Sequence, residues 1–399
     1  MTVAAETNPG APRPPGRIAF GDISALPTLR LVQAAPTHTF PAPIRRRPNA
    51  RGPKGDNPLK NHLIAVALAS SGSFEAQAQS SATVFGVIDL AARQVNPESG
   101  SAQRSLASGG MRGSRLGLRA VEDLGDGLSA GFWLEADIAA DTGAANATNF
   151  WSRRSTVSVS DKRFGELRLG RDYVPIFWRQ YIPFDPWGVN GIASFGNMFF
   201  PLSSRLGSGS NGFVRTNNAV KYVLPNELGG VFGEFMVSAG EGDATNKHRG
   251  GVLGYAAGPV RVTGGFGDTL NVAGTEALKV RTVAAAYDFS AVTVSGMYQH
   301  NAYQAKRQKT LALGVIGRIG VGQLKFSYVH ADQSGANTDA NDSSMLALGY
   351  VHHLSKRTAL YGTYARIDNR GTQNFGLGGV TPAAGKDISG VEVGLSHAF

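Results

Sequence analysis

The chain has 399 residues, of which 17% are charged, 42% hydrophobic and 52 glycine, with no cysteine and a formal net charge of +10. The lack of cysteine excludes a disulfide framework and thiolate metal sites, and no run of about 18 apolar residues exists to build a transmembrane helix. The charge does not mark a nucleic-acid binder. Residues 1–78 hold nine basic and four acidic side chains, and the other 30 basic and 25 acidic ones are dispersed, with no basic stripe, zinc-finger spacing or aromatic-basic motif.

Residues 1–58 carry eleven of the 19 prolines and the basic run Arg45-Arg46-Arg47. No helical or strand period runs through them, and such a composition does not build a packed core. The segment reads either as a basic, proline-rich tail or as residues outside the mature protein. The adjoining segment favours the second reading. Lys60 opens a basic start, Leu63 to Ala69 is apolar, and Ala76-Gln77-Ala78 is a small-x-small end. This is the layout of a secretory signal peptide over residues 59–78, cut between Ala78 and Gln79. Translation is then expected to start near Leu59, since a leucine codon can serve as a bacterial start.

From Gln79 the pattern becomes short alternating segments separated by Gly, Asn, Asp and Ser. Phe132, Leu134, Ala136 and Ile138 share one face, opposite Trp133, Glu135 and Asp137, because side chains in a strand switch faces at each residue. Glu166–Leu169, Val260–Thr263, Val292–Ser295 and Leu324–Tyr328 alternate likewise. At the end, Val391, Val393, Leu395 and Phe399 lie opposite Glu392, Gly394 and Ser396. A soluble sandwich also alternates. Export, recurrence over more than 300 residues without a helical period, and an aromatic last residue closing an amphipathic strand favour a membrane barrel with no free edge. At roughly 20 residues per strand and connection, residues 79–399 predict an all-β, closed antiparallel barrel of about 16 strands.

The ordered set of motifs over 79–399 resembles the trimeric general porins of Gram-negative bacteria, of the beta-proteobacterial branch. Gln79–Asp89 resembles the first strand. Ser114–Arg119 with Glu122–Leu128 resembles the second strand and its turn. Phe164–Asp172 and Arg215–Tyr222 resemble the strands entering and leaving the third extracellular loop, and Leu348–Tyr364 is the most specific match. The resemblance implies a homotrimer in the outer membrane, surrounded by its lipid and passing small hydrophilic solutes and ions. It also implies that Phe399 is the signal read by the barrel-assembly machinery.

The resemblance further implies a third loop, near 173–213, folded into the barrel to narrow it, with basic wall residues facing loop acids across the gap. Carried over residue by residue, the wall arginines are Arg115, Arg153 and Arg215, with Arg119 sharing the parity of Arg115. Local alternation through Val157 and Val159 points Arg154 inward instead of Arg153, and a bulge would reconcile the two. The loop holds one carboxylate, Asp185, between Pro183 and Pro186. It is the candidate acid of the constriction, with turn formation as the alternative. The aromatics Phe177, Trp178, Tyr181, Phe184, Trp187 and Phe195 read as packing for the loop. This balance of charge predicts a preference for anions.

An enzyme needs a constellation that the chain does not offer. Its eight histidines are scattered, and adjacent His352 and His353 point to opposite strand faces, which does not chelate one metal. Gly264–Gly267 lacks the strand-to-helix context of a phosphate loop. No cofactor or metal is expected. Two rivals to a general porin remain: a substrate-specific barrel channel, marked by aromatic ladders along the lumen, and an adhesin or anchor, marked by a plugged lumen.

Overall fold

Strand-forming alternation with turn residues between becomes, in the computed structural model, one antiparallel sheet of eighteen strands. The structure describes residues 81–200, 205–210 and 213–399. The extension 1–58, the segment 59–78 expected to be a signal peptide and the Ala78/Gln79 junction lie outside the described residues. The strands of the first half are β1 (Ser81–Pro97), β2 (Gln103–Ser108), β3 (Arg115–Gly125), β4 (Leu128–Ala139), β5 (Ala144–Ala145), β6 (Arg154–Asp161), β7 (Gly165–Tyr173), β8 (Arg215–Val223) and β9 (Val231–Ser238). Those of the second half are β10 (His248–Ala257), β11 (Val260–Leu270), β12 (Ala277–Asp288), β13 (Val292–Tyr303), β14 (Lys306–Ile319), β15 (Gly322–Ser334), β16 (Asp342–His353), β17 (Thr358–Asn369) and β18 (Ile388–Ala398).

Two pairs of these strands share one place in the wall. One edge of β1 pairs with β3 through Ser81–Val87 and with β2 through Leu90–Val95, so β2 and β3 are halves of one broken strand. In the same way β4 pairs with β6 along most of its length and with β5 at its end. The wall is therefore a closed barrel of sixteen strands. The other edge of β1 runs along β18 from Val87↔Ala398 to Pro97↔Ile388, which leaves no open edge. Phe399 completes the closure: its N–H donates to the Gly86 carbonyl at 3.0 Å, and the Gly86 N–H returns a bond of 3.1 Å. Position 86 needs glycine, because a Cβ there would sit 2.3 Å from the Phe399 ring.

The outward face is a continuous apolar surface. Leu116, Leu118, Val157, Val159, Leu311, Leu313, Val393 and Leu395 are each at least a third exposed. Such a surface suits hydrocarbon and not water. Tyr222, Tyr255, Tyr287, Phe289 and Tyr350 form an aromatic band near the short turns. The inward face carries Thr282, Gln299 and Ser327, all buried, because the loop between β7 and β8 lies on them.

That loop, 174–214, supplies the apolar core. Phe177, Tyr181, Phe184, Phe195 and Phe199 are at most 2% exposed, and they pack on inward Met236, Val252, Met297 and Met345. Tyr173 stacks on Phe177 with ring centroids 5.7 Å apart, and Tyr181 meets Phe199 edge-on at 5.6 Å. Each buried aromatic stabilises the folded-in loop by about 1.5–3 kcal/mol.

Candidate functional site

The loop is fastened across the lumen by polar contacts to successive strands. Arg179 pairs with Glu234 at 3.0 Å. Gln180 donates to Thr263 at 3.0 Å and accepts from Thr282. The Tyr181 hydroxyl donates to Gln299. Ser295 donates to the Phe184 carbonyl at 2.7 Å, and the Trp187 indole donates to Ser327 at 2.9 Å. The Ile192 N–H reaches Glu392 at 3.3 Å. At its tip Gly191 has φ +66°, and a Cβ there would lie 2.1 Å from the Gly110 carbonyl oxygen. The loop thus crosses from β9 to the β18/β1 seam. The wall of β3, β4, β6 and β7 gives it none of these contacts.

That stretch of wall is where the inward arginines collect. Register places Arg115 opposite Asp137 and Gly117 opposite Glu135, so these acids share the lumen face with Arg115 and Arg119. Glu135 is 3.6 Å from Arg115 and 2.5 Å from Arg153, and Arg153 also reaches Asp137 at 2.5 Å. Arg154 lies over Trp133 at 4.7 Å, bonds Thr156 and approaches Asp172 at 3.7 Å. Arg119 lies over both Phe85 and Trp133. Arg215 stacks over the Tyr173 ring at 4.8 Å and donates to its hydroxyl at 3.4 Å.

Both Arg153 and Arg154 therefore point inward. Alternation does not force a choice between them, because β6 begins at Arg154 and Arg153 still belongs to the preceding loop. A bulge does occur nearby, on β8 instead. The register shifts between Gly170 and Asp172, with Asn218 at φ +53°. It switches parity along β8, so that Thr216, and not Asn217, shares the buried inward face with Ala219 and Lys221.

Asp185 is 4% exposed and faces into the loop. Its carboxylate accepts from the N–H groups of Trp187, Val189 and Phe195 and from the Ser194 hydroxyl, at 2.9–3.0 Å. Burial pushes this carboxyl up to about 6. Its geometry is that of a loop organiser, while the acids in direct contact with the arginines come from the wall.

Those wall acids are what sequence reasoning missed as site residues. Glu135 and Asp137 were legible as inward by their parity with Trp133, but parity does not name the partner strand. The same holds for a second group. Lys221 is 3.0 Å from Asp172 and 3.4 Å from Glu234, and Arg168 is 2.7 Å from Glu166. In these two clusters seven inward bases (Arg115, Arg119, Arg153, Arg154, Arg168, Arg215, Lys221) face five acids (Glu135, Asp137, Glu166, Asp172, Glu234), while across the lumen Arg93 pairs with Glu392, Lys325 lies over Trp187 and Asp89 accepts from Tyr361. On the loop, Arg179 and Arg205 outnumber Asp185. Above the loop a vestibule of about 790 Å³ opens between Arg93, Arg205, Lys306, Gln333 and Gln373.

A barrel of this size with a loop folded into a charged lumen has counterparts among known proteins. The family model described as Gram-negative porin matches residues 63–372. Outer membrane porin protein 32 of Delftia acidovorans is 38% identical over 365 residues, covering 86% of this chain and all of that protein. An outer membrane porin protein of Bordetella pertussis is 26% identical over 376 residues, covering 77% of this chain and 94% of the relative. Among solved structures, the anion-selective porin from Comamonas acidovorans superimposes with a TM-score of 0.72 at 34% identity, covering 80% of this chain and all of that one. OmpT of Vibrio cholerae in its trimer form, at 17% identity, TM-score 0.58, and covering 80% of this chain and 99% of its own, shares the fold. The chain belongs to the Gram-negative porin family and is an outer-membrane channel for passive diffusion.

Proposed function

We propose that this porin prefers anions and that the inward arginines of β3, the β5–β6 junction and β8 set the preference. The observation that carries the reading is the excess of bases over acids around the narrowed lumen, with Asp185 turned into its own loop. Guanidinium stays charged throughout the physiological range, and charges that line a confined passage act on an ion more strongly than in bulk water. Arg115, Arg153, Arg154 and Arg215 form the wall side of the constriction, Arg119 continues it toward the short turns, and Asp185 holds the loop side in shape. The solved Comamonas porin, which carries the name anion-selective, is in keeping with this reading.

The test is the Arg115→Ala, Arg215→Ala double variant reconstituted in planar bilayers. The permeability ratio should move toward cations, and conductance should remain open. An unchanged ratio would show that these arginines do not set the field.

The same reading includes a working form and a route to it. Three copies assemble in the outer membrane, residues 59–78 direct export, cleavage falls between Ala78 and Gln79, and residues 1–58 are dispensable. Phe399 is the assembly signal. Sequencing the N-terminus of protein purified from its membrane tests the cleavage, and a start at Met1 would refute it.

A further inference from the structure

The outward face is apolar through its middle and carries charge toward the long-loop ends, and at β10–β14 bases gather there in excess. Register aligns them in two neighbouring rows. The first runs Arg249, Asp268, Lys279, Ala302, Arg307 from β10 to β14. The second, two residues nearer the membrane, runs Arg281, His300, Lys309, Asp332 from β12 to β15. Asp268 is shared by Arg249 at 3.1 Å and Arg281 at 2.6 Å, while those two side chains stay 73% and 46% exposed. Lys279 and Lys309 are exposed and form no ion pair among the described residues. Five cations thus meet two acids. On β17, by contrast, the outward Arg366 is held by both Asp368 and Asp387, just ahead of β18, so there acids outnumber the base.

Directly beneath the second row the face returns to hydrocarbon: Leu253, Val283, Tyr298 and Leu311. Cations on a barrel's outer face are costly deep in the bilayer and tolerated at its interface. Here they stand above the apolar belt, spaced along a strand by about 7 Å between rows. A ligand that fits must offer anionic oxygens to ammonium and guanidinium groups above and acyl chains to the belt below.

We propose that the β10–β14 rim is a binding site for a phosphorylated lipid headgroup of the outer leaflet, with Lys279 and Lys309 as its principal phosphate contacts and Arg249, Arg281 and Arg307 around them. The lipid chains lie on Leu253, Val283 and Leu311. The site is distinct from the lumen, since register puts all of these side chains on the opposite face from the pore.

The experiment measures binding of bisphosphoryl lipid A to the full-length protein in neutral detergent by native mass spectrometry. The variants are Lys279→Gln with Lys309→Gln and, as a control on the other sector, Arg366→Gln. The expected result is roughly thirtyfold weaker binding in the double variant, from about fivefold per lysine lost near a charged lipid surface. The control and the single-channel conductance should be unchanged, and monophosphoryl lipid A should bind the unmodified protein less tightly than the bisphosphoryl form. Equal affinity in the double variant would overturn the proposal. So would displacement of the lipid by inorganic phosphate at comparable concentration, which marks adsorption of an ion alone. A change in oligomeric state in the double variant would reassign the patch to contact between copies, and that also overturns it.

Discussion

Replacing Glu135 by Gln isolates the electrostatics of the wall. Glu135 is 1% exposed and stands between Arg153 at 2.5 Å and Arg115 at 3.6 Å. The substitution keeps the shape and removes one negative charge from the arginine cluster. For an ion passing at roughly 8 Å in a water-filled lumen, one unit charge is worth about 0.5 kcal/mol. Screening near 0.1 M salt reduces that by roughly half. The effect has opposite sign for anions and cations, so their permeability ratio should shift by about 0.5–1 kcal/mol, a two- to fivefold gain for anions. The cost falls on stability, because Arg153 and Arg115 lose their shared buried carboxylate, and breaking a buried pair costs about 3 kcal/mol or more. The assay is the zero-current potential of Glu135→Gln beside the unmodified protein at matched salt, with the heat-resistant band on gels as the folding check. A well-folded variant with an unchanged or more cation-favouring potential would refute the placement of Glu135 at the ion path.

Three further outcomes are expected. Leu313→Arg places a charge near the middle of the outward face of β14, and urea unfolding in lipid should show a loss of about 2–4 kcal/mol. Asp185→Ala removes the acceptor of three buried N–H groups, so the loop should loosen and single-channel recordings should become noisier. Burial lifts the Asp185 carboxyl from 3.8 to about 6, so the folded-in loop binds a proton more tightly than a released one. Its attachment is then strongest below about pH 4 and weakens as pH rises to 6, by up to roughly 3 kcal/mol. Limited proteolysis of the loop should be faster at pH 7 than at pH 4.5, and the dependence should vanish in Asp185→Asn.

The strands were legible because a membrane barrel imposes strict alternation: Trp133, Glu135 and Asp137 face the lumen as their parity requires. The strand count followed from spacing. What parity cannot supply is the neighbour. Glu135 meets Arg153 only because β4 lies beside β6 with the break at β5, and Lys221 meets Asp172 only across the β7–β8 register. Alternation also fails where a strand ends or bulges: Arg153 and Arg154 both turn inward at the start of β6, and the bulge at Asn218 breaks the parity between Arg215 and inward Lys221. The loop was located by the resemblance of its flanking strands, Phe164–Asp172 and Arg215–Tyr222, and its aromatics were legible as packing. The inward turn of Asp185 depends on Ser194 and Phe195, nine and ten residues further on.

The charge balance of the lumen is read most directly from the zero-current potential of the unmodified protein in a potassium chloride gradient at low ionic strength. A sign corresponding to chloride preference, shrinking as salt rises, is the predicted result. Potassium preference under the same conditions would contradict it.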